Sequence, residues 1–519
     1  MPISDQQARD NALDPTRSFI VQAPAGSGKT ELLTQRFLCL LSCVKAPEEI
    51  LAITFTRKAA FEMRARIIQA LQKAAEMIDP PSESHAQKTW MLAKNALKND
   101  ARYHWHLINN PNRLQIQTID AFCAGLIQQT PLLSHFGSQL NLTENATVLY
   151  QKAVRNLLST IIDESSPWKN AFHQLLLHLD NKLEKTEALF IDMLSKRDQW
   201  LPHIVYKKHQ TQLDPQKSRQ KLENSLYTIN QDCLNNLHDY VCHHLPITWP
   251  DELLPLLQFA GQHIEKDSPI QALASCENFP DSSLANKEIW RGIAQILLTD
   301  NNTWRKKPDK RVGFPTSNLQ IEKTFFEQQK TNLITLIETL QEHEAFRVLL
   351  TELKTLPPLH YTEAEWGVLL ALFELLPLAT AQLMLVFQEN HETDFIELSQ
   401  TILKTLDTAE APSDLLLMLD NKIQHILVDE FQDTSITHFR LIEQLTTGWT
   451  GQDGRTLFIV GDPMQSIYRF RNAEVGLFLR TQHESIGAIH LTSLVLSANF
   501  RSQKNLIDWF NATFAAIFP

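Results

Sequence analysis

The most informative segment of this 519-residue sequence is Ser18-Phe19-Ile20-Val21-Gln22-Ala23-Pro24-Ala25-Gly26-Ser27-Gly28-Lys29-Thr30. It begins as an apolar strand, passes through a glycine-bearing turn and continues into a helix that carries Leu32, Leu33 and Phe37. Backbone N–H groups at a helix N-terminus bind phosphate well, because glycine permits close approach and the helix dipole favours negative charge. The segment therefore predicts a phosphate loop for a nucleoside triphosphate, with an ordinary glycine-rich turn as the alternative.

Each position of the predicted loop has an expected role. Lys29 would reach the β- and γ-phosphates, and the Thr30 hydroxyl would bind Mg²⁺. The strict pattern has glycine at position 23, where this sequence has Ala23. The residues expected to bind the nucleotide are Ala23, Ala25, Gly26, Ser27, Gly28, Lys29 and Thr30.

A second half of the site is predicted far along the chain. The apolar run His425-Ile426-Leu427-Val428 is typical of a buried parallel strand, and Asp429 and Glu430 follow it directly. Asp429 is expected to hold Mg²⁺, and Glu430 to orient and deprotonate the attacking water. An acidic loop after a core strand is the alternative, but together with the phosphate loop the pair favours a nucleotide hydrolase.

Composition indicates a soluble globular protein, with 43% hydrophobic and 21% charged residues. We find no apolar stretch of about 18 residues and no signal peptide, and the six cysteines form no Cys-x-x-Cys pair. A cytoplasmic location with reduced thiols and no membrane association is therefore expected. The net charge of −11 alone favours a protein or small-molecule partner weakly, although a local basic groove can coexist with it.

The pattern along the chain predicts an α/β fold with a parallel sheet, interrupted by a large all-α insertion. Between about Leu140 and Pro412, leucines recur at helical spacing and glycine becomes scarce. We predict a motor domain from residues 1–139 and 413–519 and a helical insertion at 140–412. Six strand-like runs support the sheet: Phe19 to Val21, Ile50 to Phe55, Leu114 to Gln117, Ile426 to Val428, Leu457 to Val460 and Leu491 to Leu496.

Two segments suggest contacts with nucleic acid. Thr54 or Thr56 can cap the helix that begins near Arg57, and its N-terminal N–H groups could bind a DNA phosphate. Tyr468 and Phe470 lie two residues apart with arginines between and after them, a pattern that suits stacking on unpaired bases. The alternatives are an ordinary capped crossover helix and a pair of core aromatics.

Five blocks in the sequence resemble motifs of superfamily 1A DNA helicases of the UvrD, Rep, PcrA and RecB/AddA type. They follow the phosphate loop in the family order. The blocks are Ile53–Arg66, Thr118–Cys123, Asp429–Thr434, Gly461–Arg471 and Asn499–Ser502. The long insertion favours the AddA/RecB branch.

The resemblance implies a RecA-like P-loop domain that uses ATP and Mg²⁺ and moves 3′ to 5′ on single-stranded DNA, in repair and recombination. It implies single-stranded and duplex DNA as partners, and leaves open a second helicase/nuclease subunit. Gln465 would sense the γ-phosphate, and Arg501 would stabilise charge on the transferring phosphoryl group. Phe500 would stack on adenine and Gln7, rather than Gln6, would read it. The implied DNA contacts are Thr56, Arg57, Phe122, Tyr468, Phe470 and Arg471.

The sequence departs from the family pattern in three places. Glu31 stands where close relatives often carry an arginine beside the base, and Asp120 where many carry histidine. The sequence also ends after the helix that follows Asn499–Ser502, without the second RecA-like domain of the family. We therefore expect nucleotide binding with weak hydrolysis by this chain alone. The alternative function is a nucleotide-gated DNA clamp or protein-interaction subunit without motor activity.

Overall fold

The computed structural model describes residues 4–82, 84–129, 141–143, 145–162, 166–204, 215–264, 268–316, 320–406, 414–466 and 473–517. The chain divides into two compact units. Unit 1 contains residues 1–205 and 372–515, and unit 2 contains residues 206–371 together with 516–519. Our assignment of residues 140–412 to one inserted domain stays a prediction.

The described helices and strands are named in chain order. The strands are β1 Phe19–Gln22, β2 Ile50–Thr54, β3 Gln115–Thr118, β4 Asn141–Leu142, β5 Glu392–Thr393, β6 His425–Val428, β7 Thr456–Gly461 and β8 Thr492–Val495. The helices are α1 Gln6–Asn11, α2 Lys29–Leu41, α3 Arg57–Glu76, α4 Ser84–Tyr103, α5 Ile119–Gln129, α6 Thr147–Ile161, α7 Lys169–His178, α8 Leu183–Leu194, α9 Arg197–Ile204, α10 Pro215–His244, α11 Trp249–Gln262, α12 Lys287–Leu297, α13 Gln320–Thr339, α14 Glu344–Thr355, α15 Glu363–Asn390, α16 Phe395–Leu406, α17 Asp414–Lys422, α18 Ile436–Leu445, α19 Val475–His483 and α20 Lys504–Ile517.

Unit 1 is built on a six-stranded sheet in the order β3-β2-β6-β7-β1-β8, as far as the chain is described. Every neighbouring pair in it is parallel; for example, Phe19 of β1 aligns with Phe458 of β7 and with Thr492 of β8. All six predicted strands are confirmed, each to within a few residues. The predicted α/β fold class with a P-loop core is therefore confirmed.

The sheet separates two hydrophobic cores, because successive side chains of a strand point to opposite faces. Phe19 and Val21 of β1 point into a core shared with α2, α3 and α4. Ile20, between them, points into the other core, which α5, α16 and α18 cover. Helices on both faces are what a buried parallel sheet requires, and they leave the carboxyl ends of the strands free for a site.

A buried ion cluster lies in unit 1, where α9 meets the start of α16. The Arg197 guanidinium, with its side chain fully buried, lies 2.5 Å from Asp394 Oδ1 and 3.4 Å from Glu397 Oε2. The Tyr150 hydroxyl also donates to the Asp394 carboxylate, at 2.5 Å. Burial opposes ionisation of Asp394, but Arg197 lowers the pKa of this carboxyl below its usual value. These buried side chains connect α6, α9 and the start of α16. Removing one member would leave another buried charge without its partner.

Unit 2 is helical in its described part, with a core formed by α10–α14. Its buried side chains include Trp249, Trp290 and Phe346. Arg305, which belongs to the basic segment 305–311, turns inward and donates to the carbonyls of Gln295, Ile296 and Leu298 at the end of α12. Those carbonyls have no partner within the helix, so this arginine serves as a C-terminal cap.

The expectation that no apolar stretch reaches about 18 residues was wrong. The described part of the chain contains a helix, α15, of 28 residues, in which an 18-residue window has a mean hydropathy of 2.0; by length and composition it could span a bilayer. Glu374 and Pro377 interrupt the apolar run of this helix, which makes it hard to recognise in the sequence. A single such helix is weak evidence of insertion, since core helices of soluble proteins satisfy the same criterion.

Candidate nucleotide-binding site

The phosphate loop connects β1 to α2 at the carboxyl edge of the sheet. Gly26 and Gly28 both have φ of +79°, and Gly28 is the residue that immediately precedes α2. Ala23 donates its N–H to the Gly461 carbonyl at 2.9 Å, which extends the pairing of β1 with β7. Alanine is acceptable at position 23 because its φ is not positive, whereas both glycines adopt the left-handed conformation that glycine tolerates.

The loop lysine meets both acidic residues of the second half-site. Lys29 Nζ lies 2.5 Å from Glu430 Oε2 and 3.7 Å from Asp429 Oδ1. The two stretches lie at the same edge of the sheet because β1 and β6 are both central parallel strands. The predicted proximity of the lysine to the two carboxylates is therefore confirmed, while their catalytic roles stay predictions.

The two carboxylates differ in burial and in backbone conformation. Asp429 is buried at 6% exposure, and burial, together with the nearby Glu430 charge, raises the pKa of Asp429 to about 6 despite the attraction of Lys29. Glu430 adopts φ 52° and ψ 40°, a left-handed conformation that is unfavourable for a non-glycine residue. Strain of this kind persists where surrounding contacts enforce it, and it is concentrated at functional sites.

A chain of hydrogen bonds joins the acidic pair to the next predicted motif. Gln432 donates to Glu430 Oε2 at 2.8 Å and accepts from the Asp462 N–H at 2.9 Å. Gln465 in turn donates to Asp462 Oδ2 at 2.5 Å. A Cβ at Gly461 would lie 2.6 Å from Gln432 Oε1, which explains the glycine at that position. Gln432 and Asp462 were not predicted as site residues, because their partners become visible only in the fold.

The segment Asn499–Arg501 lies against the phosphate loop. Phe500 donates its N–H to the Gly26 carbonyl at 2.8 Å, and a Cβ at Gly26 would lie 2.8 Å from Asn499 Oδ1 and 2.9 Å from Arg501 Cβ. The Phe500 ring is 58% exposed. Phe500 and Arg501 therefore lie next to the loop that is expected to bind phosphate. Adenine stacking by Phe500 and charge stabilisation by Arg501 stay predictions.

The N-terminal helix contributes residues that the sequence reasoning only partly anticipated. Gln6 donates to Asp10 at 3.0 Å, whereas Gln7 is exposed. Arg9, which was not predicted, donates to the Ser27 carbonyl at 2.6 Å. Asp5, also not predicted, accepts from the backbone N–H groups of residues 497 and 498. No local sequence pattern identifies either residue, because their partners lie far away in the sequence.

The residues present fit a magnesium nucleotide. Oxygen donors are what Mg²⁺ prefers, and Asp429 and Thr30 supply a carboxylate and a hydroxyl at the two half-sites. The Ser27 hydroxyl is buried with no hydrogen-bond partner among the described residues, which leaves a polar atom in the loop for a ligand to satisfy. The ammonium of Lys29 offers the positive charge that a triphosphate needs.

The predicted DNA contacts have different positions. The Thr56 hydroxyl accepts from the Ala59 N–H at 3.1 Å and caps α3, and Arg57 is exposed at the start of that helix. Phe122 is 7% exposed and belongs to the core beneath α5, and its contact with DNA stays a prediction. Three further predicted contacts, Tyr468, Phe470 and Arg471, lie outside the described residues.

A cleft of about 450 Å³ lies next to α3 in unit 1. Its lining includes Phe55, Asp120, Asp433 and His438. His438 Nε2 is 4.0 Å from Asp120 Oδ1, and its ring lies edge-on to Phe55 with centroids 6.1 Å apart. His438 thus places an imidazole of α18 beside Asp120 in this cleft.

Comparison with known proteins gives a consistent result. The family model described as UvrD/REP helicase N-terminal domain matches residues 4–485. An ATP-dependent helicase/nuclease subunit of Lysinibacillus sphaericus (strain C3-41) is 25% identical over 96% of this chain and 38% of its own length. Proteins of the same name from Bacillus cereus (strain AH820) and Lactobacillus helveticus (strain DPC 4571) are 26% and 24% identical, over 96% and 100% of this chain. The chain spans about two fifths of the length of these curated relatives.

Proposed function

This chain belongs to the UvrD/REP helicase N-terminal domain family, and we propose that it is the ATP-binding part of an ATP-driven DNA motor. The proposed motor is a helicase or translocase that acts in DNA repair and recombination with 3′ to 5′ polarity and a cytoplasmic location. The relatives are named as helicase/nuclease subunits, which supports a further protein of such a complex as a binding partner. ATP with Mg²⁺ is the proposed cofactor.

One observation carries the proposal: Lys29 Nζ lies 3.7 Å from Asp429 Oδ1 and 2.5 Å from Glu430 Oε2. This lysine attracts both carboxylates and so offsets part of the repulsion between them. When a triphosphate enters, Lys29 can exchange the Glu430 carboxylate for phosphate oxygens. That exchange frees Glu430 to accept a proton.

The remaining residues have roles that follow from their positions. Released from Lys29, Glu430 can orient a water molecule and take its proton as a general base. Its side chain stays aligned because Gln432 donates to Oε2, and its backbone because the Asp429 carboxylate accepts from the Glu430 N–H at 2.9 Å. Gln465 and Arg501 are proposed to contact the terminal phosphate. Mg²⁺, held by Asp429 and Thr30, would supply charge neutralisation at the phosphates.

The proposal for DNA rests on the N-terminus of α3. Thr56 caps a 20-residue helix whose first turn carries the exposed Arg57. A helix N-terminus and a guanidinium together suit a DNA phosphate. Phe55 and the cleft beside it offer a wall for an unpaired base. Because Gln432 joins Glu430 to Asp462, a movement at the nucleotide can reach the segment that follows Asp462.

The test measures nucleotide binding and hydrolysis separately. Titration calorimetry with MgATP and a non-hydrolysable analogue is expected to show binding by the wild type and by Glu430→Gln, and none by Lys29→Ala. Hydrolysis is expected to be weak in the wild type and absent from both variants, since the chain alone is expected to turn over nucleotide poorly. Glu389→Gln, an exposed carboxylate paired with Lys152, is the matched control and is expected to behave as wild type.

Two outcomes would overturn the proposal. If Lys29→Ala bound MgATP as tightly as the wild type, the phosphate loop would not be the nucleotide site. If Glu430→Gln left the turnover unchanged, a nucleotide-gated clamp would replace the motor. Binding to oligonucleotides must also weaken as salt rises, because phosphate contacts release counterions.

A further inference from the structure

Arg9 on α1 contacts both sides of the proposed nucleotide site. Its Nη2 donates to the Ser27 carbonyl of the phosphate loop at 2.6 Å. Its guanidinium also covers the Phe500 ring, with Cζ 5.1 Å from the ring centroid. A Cβ at Gly28 would lie 3.4 Å from both Arg9 Nη1 and Phe500 Cδ2, so the two side chains meet directly over the loop.

Asp5 fixes the orientation of this guanidinium. Arg9 Nε donates to Asp5 Oδ1 at 2.7 Å, and Nη2 donates to Oδ2 at 3.0 Å. The same carboxylate accepts from the N–H groups of Ser497 and Ala498, just before Phe500. Burial opposes its ionisation, but Arg9 and the two N–H groups lower the pKa of Asp5 below the usual range.

Two sets of hydrogen bonds connect the phosphate loop to residues 497–500. The first is the bond from the Phe500 N–H to the Gly26 carbonyl, at 2.8 Å. The second runs from residues 497 and 498 through Asp5 and Arg9 to the Ser27 carbonyl. These hydrogen bonds use only carbonyl oxygens of the loop and occupy none of its N–H groups. The 58% exposed Phe500 ring has one face over Arg9, so surface remains for a second planar group.

We propose that Arg9 is a positioning residue that sets the affinity and base selectivity of the nucleotide site. It holds the Ser27 carbonyl and one face of Phe500, and it leaves the opposite face of the ring for adenine. This inference rests on the proposed function, in which Phe500 stacks on the base. Lysine cannot replace Arg9, since a point-like ammonium cannot bridge Asp5 and Ser27 while covering a ring.

The experiment compares MgATP with magnesium tripolyphosphate, which has the phosphates but no base. Dissociation constants are measured by calorimetry for the wild type, Arg9→Met, Arg9→Lys, Phe500→Leu and the Arg9→Met/Phe500→Leu double variant. Loss of a charge-assisted hydrogen bond and a cation–π contact predicts MgATP binding about tenfold weaker for Arg9→Met. Arg155→Met, an exposed arginine paired with Glu187, is the matched control.

The comparison separates positioning from general destabilisation. We expect Arg9→Met and Arg9→Lys to lower the ratio of ATP affinity to tripolyphosphate affinity, and the double variant to be no weaker than the worse single variant. Arg9→Lys retains a charge beside Asp5 and keeps the test valid if Arg9→Met does not fold. Provided that the wild type binds MgATP, either of two results would overturn the inference. One is an Arg9 variant with the same ratio of ATP affinity to tripolyphosphate affinity as the wild type. The other is a double variant in which the losses of MgATP affinity from the Arg9 and Phe500 substitutions add. Absence of Lys29-dependent binding in the wild type would instead refute the proposed function.

Discussion

Replacing Asp429 by asparagine should stabilise the ligand-free chain while it removes a proposed metal ligand. Burial raises the pKa of Asp429 from 3.8 to about 6, so the folded state holds a proton on this carboxyl more tightly than the unfolded state does. Between these two values the folded chain binds more protons, and its free energy of unfolding falls as pH rises. Above pH 6 the full cost of the buried charge applies.

The size of the effect follows from the two pKa values. A rise from 3.8 to about 6 corresponds to roughly 3 kcal/mol at pH 7.5, and to only about 0.5 kcal/mol at pH 4. Asparagine carries no charge at either pH, and its oxygen can still accept from the Glu430 N–H. The stability advantage of Asp429→Asn should therefore grow with pH over this range.

Urea unfolding followed by circular dichroism at pH 4, 5, 6 and 7.5 measures this difference. Asp192→Asn, an exposed carboxylate paired with Lys196, should change stability by less than about 0.5 kcal/mol at every pH. Saturating MgATP should stabilise the wild type but not Asp429→Asn. An Asp429→Asn variant that is less stable than the wild type at pH 7.5, or a difference that does not vary with pH, would refute the reasoning.

Three further predictions concern the sheet, the ion cluster and the loop. Burial, with a smaller contribution from Arg36, lowers the pKa of His425 from 6.5 to about 4, so stability should fall as pH drops through this window by up to roughly 3 kcal/mol. His425→Asn should make the acid dependence in urea unfolding shallower; an unchanged slope would contradict this. Arg197→Met leaves the Asp394 carboxylate buried without its cation and should cost about 3–5 kcal/mol in unfolding experiments. A cost below about 1 kcal/mol would show that the cluster is not essential. Gly26→Ala should weaken MgATP binding at least about tenfold in calorimetry, because alanine is strained at φ +79° and its Cβ would clash with Asn499; wild-type affinity would refute this.

The strands were predictable because a strand buried on both faces reads as a continuous apolar run. Residues 457–460 and 426–428 illustrate this, since each lies within an observed strand. The pairing of Lys29 with the acidic residues was also predictable, because each half of the site has its own local pattern. The direct contact between Lys29 and Glu430 was not, since it depends on the left-handed backbone of Glu430.

Other features depend on partners that no local pattern reveals. Arg305 lies in a run of basic residues, yet its guanidinium binds three carbonyls of α12. Asp5 precedes a short helix as a capping residue would, but its carboxylate binds N–H groups near the other end of the chain and makes no side-chain cap. Phe122 lies in a motif that resembles a DNA-facing block, although its ring is in the core.

The position of β1 in the sheet also affects how the protein is made. β1 pairs only with β7 and β8 in the described sheet, and the Ser18 hydroxyl accepts from the N–H of Leu457, 439 residues further along. A ribosome therefore synthesises the strand that precedes the phosphate loop long before either of its neighbours. During that interval Phe19, Ile20 and Val21 have no sheet to enter, so the nascent chain needs protection from aggregation by a chaperone or by transient contacts. The two halves of the proposed nucleotide site can come together only after β6 and β7 have been synthesised.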